Sequence, residues 1–174
     1  GFLGLLHMEI VQERLEREFN LALIATAPSV EYKIWTTRGE EMEVDNPSAM
    51  PPANEIDRIE EPFLRISILT PTEYTGTLME LCQSRRGLMG KMEYLSPERL
   101  EPVYDLPLAD VVVDFFDRLK SRSQGYASLD YEQIGYQPGD LVRVDLLVNG
   151  EQVDAFSTIV HRDNAYEDGR RTAE

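Results

Sequence analysis

Cysteine is almost missing from this 174-residue sequence, and Cys82 stands alone. A single thiol excludes an intrachain disulfide framework and a cysteine-based zinc site, and it fits a reducing compartment. Histidine is nearly as scarce, at His7 and His161, so no imidazole cluster offers a metal centre. No apolar run approaches the roughly 20 residues that cross a bilayer. The opening stretch 1–11 is apolar but has neither a basic flank nor a small-residue cleavage site, and it does not read as a signal peptide. It begins on Gly1 inside an apolar pattern, which suggests a piece of a longer chain. Positive charge is short too: 17 Lys and Arg face 32 Asp and Glu, a net charge of −15. That excludes a generally basic nucleic-acid binder, so any RNA contact needs a local patch on an acidic body.

The remaining composition is that of an ordinary globular chain, 42% hydrophobic and 28% charged, enough for one domain or two small ones. Met8, Val11, Leu15 and Phe19 recur at helical spacing, with Glu13 and Arg17 as an i,i+4 pair and Asn20 as a stop. Strands are expected at Leu21 to Thr26 and Val30 to Thr36, the latter returning through Arg38-Gly39 to Met42 and Val44. Asp45 to Pro62 holds Asn46-Pro47, Pro51-Pro52 and Pro62 and reads as a semi-rigid linker.

Beyond the linker the pattern is regular. Leu64, Ile66 and Ile68 alternate with Arg65 and Ser67 as in a half-buried strand. Tyr74, Leu78, Leu81 and Cys82 share a helical face that ends at Gly87, read as the C′ residue. Leu88, Met92 and Tyr94 mark a second strand, and Arg99 to Leu106 a third. Pro107 opens a second helix with Leu108, Val112, Phe115 and Leu119 inward, before a fourth strand at Ala127, Leu129 and Tyr131. This β-α-β-β-α-β order predicts an α+β, ferredoxin-like split unit. A partial unit of the same kind precedes it. A β-hairpin extension follows it, turning at Asn149-Gly150, with a polar tail after His161.

Catalytic signals are weak. Arg86 to Met92 lacks the first glycine and the Ser or Thr of a phosphate-binding loop, and it leaves a helix instead of entering one. His161-Arg162-Asp163 has none of the other parts of a kinase catalytic loop. Cys82 on an apolar helix face reads as core, His7 as a packed histidine, and Glu40, Glu41 and Glu43 as a solvated edge. The cations at the helix ends stand out: Arg85 and Arg86 on the first helix, Arg118, Lys120 and Arg122 on the second, with Lys91 and Tyr126 near in sequence. Macrodipole complementation explains one or two of them. The full set suggests a phosphate-binding patch, with His161 and Arg162 as a weaker second site.

These residues also carry a family likeness. Gly4-Leu5-Leu6-His7-Met8-Glu9-Ile10, followed by Arg17 to Asn20, resembles a helix of the third domain of elongation factor G-like GTPases. Arg85-Arg86-Gly87, Tyr104 to Leu108, Asp114 to Ser121 and Gly125 to Ser128 resemble that family's fifth domain, in the form of its elongation factor 4 (LepA) branch. The short linker, which leaves no room for a fourth domain, and Val144 to Asp163 point to the same branch.

The resemblance implies residues 1–45 as the end of the third domain, 46–62 as linker, 63–137 as the fifth domain and 138–174 as the start of a C-terminal domain. It further implies a ribosome-dependent GTPase acting in back-translocation and fidelity, with ribosomal RNA and proteins as partners and tRNA as a further candidate. GTP and magnesium belong to the longer parent protein, which is cytoplasmic with some association with the inner membrane. The present chain is expected to be a monomer that carries no nucleotide site, no cofactor and no catalysis of its own. The alternative from another class is a ferredoxin-like domain that binds a small regulatory molecule.

Overall fold

The computed structural model describes residues 5–19, 30–153 and 157–173. The strand expected at Leu21 to Thr26, the stop at Asn20 and the side chain of His7 lie outside the described residues. Helix α1 runs from Leu5 to Phe19 and carries the expected Arg17–Glu13 pair at 3.4 Å. Strands β1 (Tyr32–Thr36) and β2 (Glu41–Val44) form the expected hairpin around Gly39, whose φ of 82° suits glycine.

The centre of the molecule is β3, a strand of sixteen residues from Ile56 to Pro71. It is followed by α2 (Thr75–Ser84), β4 (Leu88–Ser96), β5 (Arg99–Pro107), the helical pair α3 (Leu108–Val111) and α4 (Phe115–Arg122), and β6 (Ser128–Pro138). The strands lie side by side as β4-β5-β3-β6, every neighbour antiparallel. This is the spatial order of the split β-α-β unit, and the fold class read from the sequence is borne out.

The stretch read as linker behaves differently from expectation. Only 45–55 is irregular, with two short 3-10 turns at Pro47–Ala49 and Ala53–Glu55. From Ile56 the chain is already strand, because β1 pairs with it at Lys33↔Glu60, Ile34↔Ile59 and Trp35↔Arg58. Pro62 sits within β3 opposite Tyr136, at the place where β1 has ended and β5 has yet to begin. A residue without an N–H is tolerated where the ladder changes partner.

Leu64, Ile66 and Ile68 project from β3 into a core with Tyr104 and Leu106 of β5, Leu78, Leu81 and Cys82 of α2, and Val111, Phe115 and Leu119. Full burial of one aliphatic side chain such as Ile66 or Ile68 stabilises by roughly 1.5–3 kcal/mol. The second helix is broken, and Val111 rather than Val112 enters the core. Three consecutive β-branched residues, Val111 to Val113, weaken helix at the break. Strand β4 also departs from expectation. It is an edge strand whose Leu88, Met89, Tyr94 and Leu95 are exposed, so no face of it is apolar core.

A second core joins the flanking parts: Tyr32, Ile34 and Val44 of the first hairpin, Ile59 of β3, and Leu141 of β7 (Leu141–Val144). Short strands β8 (Leu147–Val148) and β9 (Glu151–Gln152) flank the Asn149-Gly150 turn. The two turn residues have φ of 55° and 86°, as a type I′ turn requires. Strand β10 (Thr158–His161) pairs back on β7. Residues 162–173 after His161 are helical despite their polar composition. A 3-10 turn at Arg162–Asn164 leads into α5 (Ala165–Ala173), whose acidic first turn and basic last turn complement the helix dipole.

Candidate nucleic-acid interface

Helices α2 and α4 pack antiparallel. Arg85 at the end of α2 pairs with Asp114 at the start of α4, while Arg122 at the end of α4 donates to the Thr77 carbonyl at the start of α2, 3.2 Å away. The cations that sequence proximity grouped together therefore occupy opposite ends of the helical layer.

Each helix closes with the same device. At α2, Gly87 N–H donates to Cys82 O at 2.9 Å and Arg86 N–H to Gln83 O at 3.2 Å. At α4, Gly125 donates to Lys120 O at 2.8 Å and Gln124 to Ser121 O at 3.3 Å. Both are Schellman motifs. The left-handed C′ residues are Arg86 (φ 59°) and Gln124 (φ 51°), so Gly87 is one position later than expected. Its glycine is needed for closeness, since a Cβ there would lie 2.6 Å from Cys82 O.

Arg85, Arg86 and Arg118 are occupied by carboxylates. Arg86 donates through Nη1 and Nη2 to Glu61 Oε1 and Oε2 at 2.6 and 3.0 Å, and through Nε to Asp110 at 2.7 Å. Arg85 binds Asp114 and the Asp110 carbonyl, and Arg118 reaches the other Asp114 oxygen at 2.6 Å. Glu61 is 1% exposed. Burial raises the Asp110 carboxyl above its ordinary value despite Arg86 beside it. The hydrogen bond from Arg118 and the nearby Arg85 lower that of Asp114. Burial and the Glu61 carboxylate push the neighbouring Tyr32 phenol up to about 12. This chain of charges joins β3, the end of α2 and the α3–α4 break, and it serves the fold.

The opposite end is more open. Lys120 is exposed and has no ion-pair partner among the described residues. Arg122, two residues on in the same last turn, donates to the Thr77 carbonyl, its one hydrogen-bond partner among the described residues. Buried Ser123 donates to Leu119 O at 2.8 Å and accepts from Ala127 N–H at 3.1 Å, which fixes the turn that presents Tyr126. The Tyr126 ring is 68% exposed and stacks on Tyr74 with centroids 6.1 Å apart and planes at 13°. Two cations in the last turn of α4 and an exposed, supported aromatic face just past that turn are group types that suit a phosphate and an unstacked base. Sequence spacing gives Tyr74 only a place on a core-facing helix, whereas in the structure it is the support beneath Tyr126.

The remaining candidates lie elsewhere. Lys91, exposed on β4, pairs with Glu93 at 2.9 Å. His161 accepts from Asp163 N–H at 3.3 Å, and Arg162 is held by both Asp140 oxygens at 3.1 and 2.9 Å. Burial pushes the Cys82 thiol up to about 12, the opposite of an activated nucleophile. Among the described residues no group of His, Cys, Asp and Glu could hold a metal ion. None of their helices is long and apolar enough to cross a membrane.

Residues 58–147, more than half of the chain, match the family described as the elongation factor G C-terminus. The chain belongs to that family. It is also similar along nearly its whole length to proteins named Elongation factor 4. That of Anoxybacillus flavithermus (strain DSM 21510 / WK1) is 61% identical over 98% of this chain and 28% of its own. That of Picosynechococcus sp. (strain ATCC 27264 / PCC 7002 / PR-6) is 58% identical over 100% of this chain and 29% of its own. A solved chain from Thermus thermophilus aligns over 67% of this chain and 14% of its own, at 21% identity and a TM-score of 0.45. The chain thus spans less than a third of the length of the curated relatives it matches. The elongation factor G-like kinship read from the sequence is borne out, and a regulatory small-molecule domain is not favoured.

Proposed function

We propose that this chain is the ribosome-docking part of a longer translation factor of the elongation factor 4 type. Membership of residues 58–147 in the elongation factor G C-terminus family carries this reading. In it, Lys120 and Arg122 neutralise ribosomal RNA phosphates and Tyr126, backed by Tyr74, takes an unstacked base. Lys91 supplies a further contact, and Arg162 with His161 a weaker second site. Arg85, Arg86 and Arg118 hold the docking surface in shape through their carboxylates instead of touching RNA.

GTP hydrolysis with magnesium belongs to another part of the longer protein, and these modules relay the nucleotide state to the ribosome. Back-translocation and fidelity of protein synthesis are the activities of that whole protein, with tRNA a further partner. It works in the cytoplasm, with peripheral association with the inner membrane, and this chain acts as a monomer without catalysis of its own. Measurable GTP turnover by the purified chain would refute the last point.

The deciding experiment is co-sedimentation with 70S ribosomes across a salt series. Lys120→Ala with Arg122→Ala should weaken binding and lower the salt slope by about 2, one unit per lost phosphate contact. Tyr126→Ala should weaken binding without changing the slope. An unchanged slope in the double variant overturns the assignment of these residues. Absence of binding by the unmodified chain overturns ribosome docking.

A further inference from the structure

The sheet ends on three outer strands, β2, β4 and β6, and the two that bound the split unit differ. On β4 the register with β5 shifts twice, between Met89 and Lys91 and between Tyr94 and Ser96. Such bulges blunt an edge against further pairing. On β6 the register with β3 shifts once, at Ile134 between the Gly135↔Phe63 and Gln133↔Leu64 pairs. It is regular for the six residues from Ser128↔Leu69 to Gln133↔Leu64, against four in the longest run on β4. No other strand pairs with β6 among the described residues. The outer main-chain donors and acceptors of this six-residue run have no strand partner among the described residues.

The side chains along that ladder alternate in chemistry. Leu129 and Tyr131 lie opposite Ile68 and Ile66 and so face the helical side. There the Tyr131 ring, 64% exposed, meets Phe116 of α4 at 6.5 Å, and Phe116 is itself 38% exposed. Asp130 and Glu132 lie opposite Ser67 and Arg65 and face the other side. Arg65 feels the Glu132 charge across the strands, but its guanidinium is already held by both oxygens of Asp105 at 2.8 and 3.0 Å. Neither Asp130 nor Glu132 has a hydrogen-bond or ion-pair partner among the described residues.

We propose that the 128–133 edge of β6 accepts an extended segment of a basic polypeptide as an added antiparallel or parallel strand. Its alternate apolar side chains rest on Leu129, Tyr131 and Phe116, and the intervening lysines or arginines meet Asp130 and Glu132. The period of two in the partner follows from the period of two on β6. Main-chain bonding gives the affinity and the alternating side chains give the selectivity. The two carboxylates on this edge disfavour an RNA strand there.

The probe is the heptapeptide Lys-Val-Lys-Ile-Lys-Val-Lys, followed by amide hydrogen exchange of the full chain. The expected result is slowed exchange at 128–133 and none at 88–96. A peptide of the same composition in block order, or one N-methylated at alternate residues, should bind about tenfold more weakly. Asp130→Asn with Glu132→Gln should weaken binding similarly while leaving the melting temperature unchanged. Equal binding of the block peptide, protection at 88–96, protection that survives the charge removal, or no protection each overturns the proposal. Protection that rises with protein concentration alone would assign the edge to a second copy and overturn it too. The test uses no ribosome, so it holds or fails separately from the ribosomal reading.

Discussion

Arg86 meets Glu61 with two parallel hydrogen bonds, of 2.6 and 3.0 Å, from a backbone position that only glycine adopts readily. A left-handed arginine costs roughly 1–2 kcal/mol, and Glu61 is buried. Breaking a buried pair from one side costs roughly 3–5 kcal/mol because a desolvated charge is stranded. Arg86→Met should therefore lower the stability of the chain by about that amount in urea denaturation. Glu61→Gln added to Arg86→Met should recover a substantial part. Additive losses would show that the pair is not coupled.

The two helix-closing glycines separate closeness from backbone freedom. Gly87→Ala places a methyl 2.6 Å from the Cys82 carbonyl oxygen, so main chain must move. A Cβ at Gly125 has open space but a φ of 81°. Gly125→Ala should cost about 1 kcal/mol from conformation alone, and Gly87→Ala about 1–3 kcal/mol. Urea midpoints would rank them, and the reverse order would contradict the close approach.

The Cys82 thiol is fully buried and titrates near 12 because its thiolate is desolvated. At pH 8 it should react with a disulfide reagent only through opening of the core, orders of magnitude more slowly than a free thiol. Denaturant should restore full reactivity. Rapid labelling of the folded chain would place the thiol outside the core.

Asp114 titrates below the ordinary carboxylate range because Arg118 and Arg85 bind its charged form. A lowered folded value contributes stability that is complete above the unfolded value, near 3.9. It is lost as pH falls through the folded value. Acid unfolding of the unmodified chain should thus steepen below about pH 4, and Asp114→Asn should flatten that limb while leaving the neutral limb parallel. Asp110, raised by burial, works in the opposite direction: the stability linked to it declines as pH rises from its unfolded to its folded value.

The core of the split unit was legible because Leu64, Ile66 and Ile68, then Leu78, Leu81 and Cys82, repeat at periods of two and between three and four. Asn149-Gly150 declared its turn for the same local reason. The candidate interface was less so. Arg86 and Arg122 are both helix-end cations in the sequence, and only the antiparallel packing of α2 and α4 sends them to opposite ends. Glu61, beside Pro62 in a stretch rich in proline, gave no sign of burial. What seals it is Arg86 from 25 residues further on, together with Gly139, whose Cβ would lie 2.7 Å from its carboxylate. Tail helix α5 was hidden because its residues are polar, and its dipole-matched ends became meaningful only once β10 ended at His161.

Strand β3 belongs to two neighbourhoods, with β1 along its first residues and β5 along its last. It is sixteen residues long. A strand of that length, at roughly 3.3 Å per residue, makes a spar of about 50 Å. A load applied through the first hairpin enters this spar lengthwise and shears the β3–β5 and β3–β6 ladders together, instead of unzipping them one bond at a time. A tug on the first hairpin therefore reaches the far strands through this one member, past the irregularity at Phe63 and Leu64 where the ladder changes register.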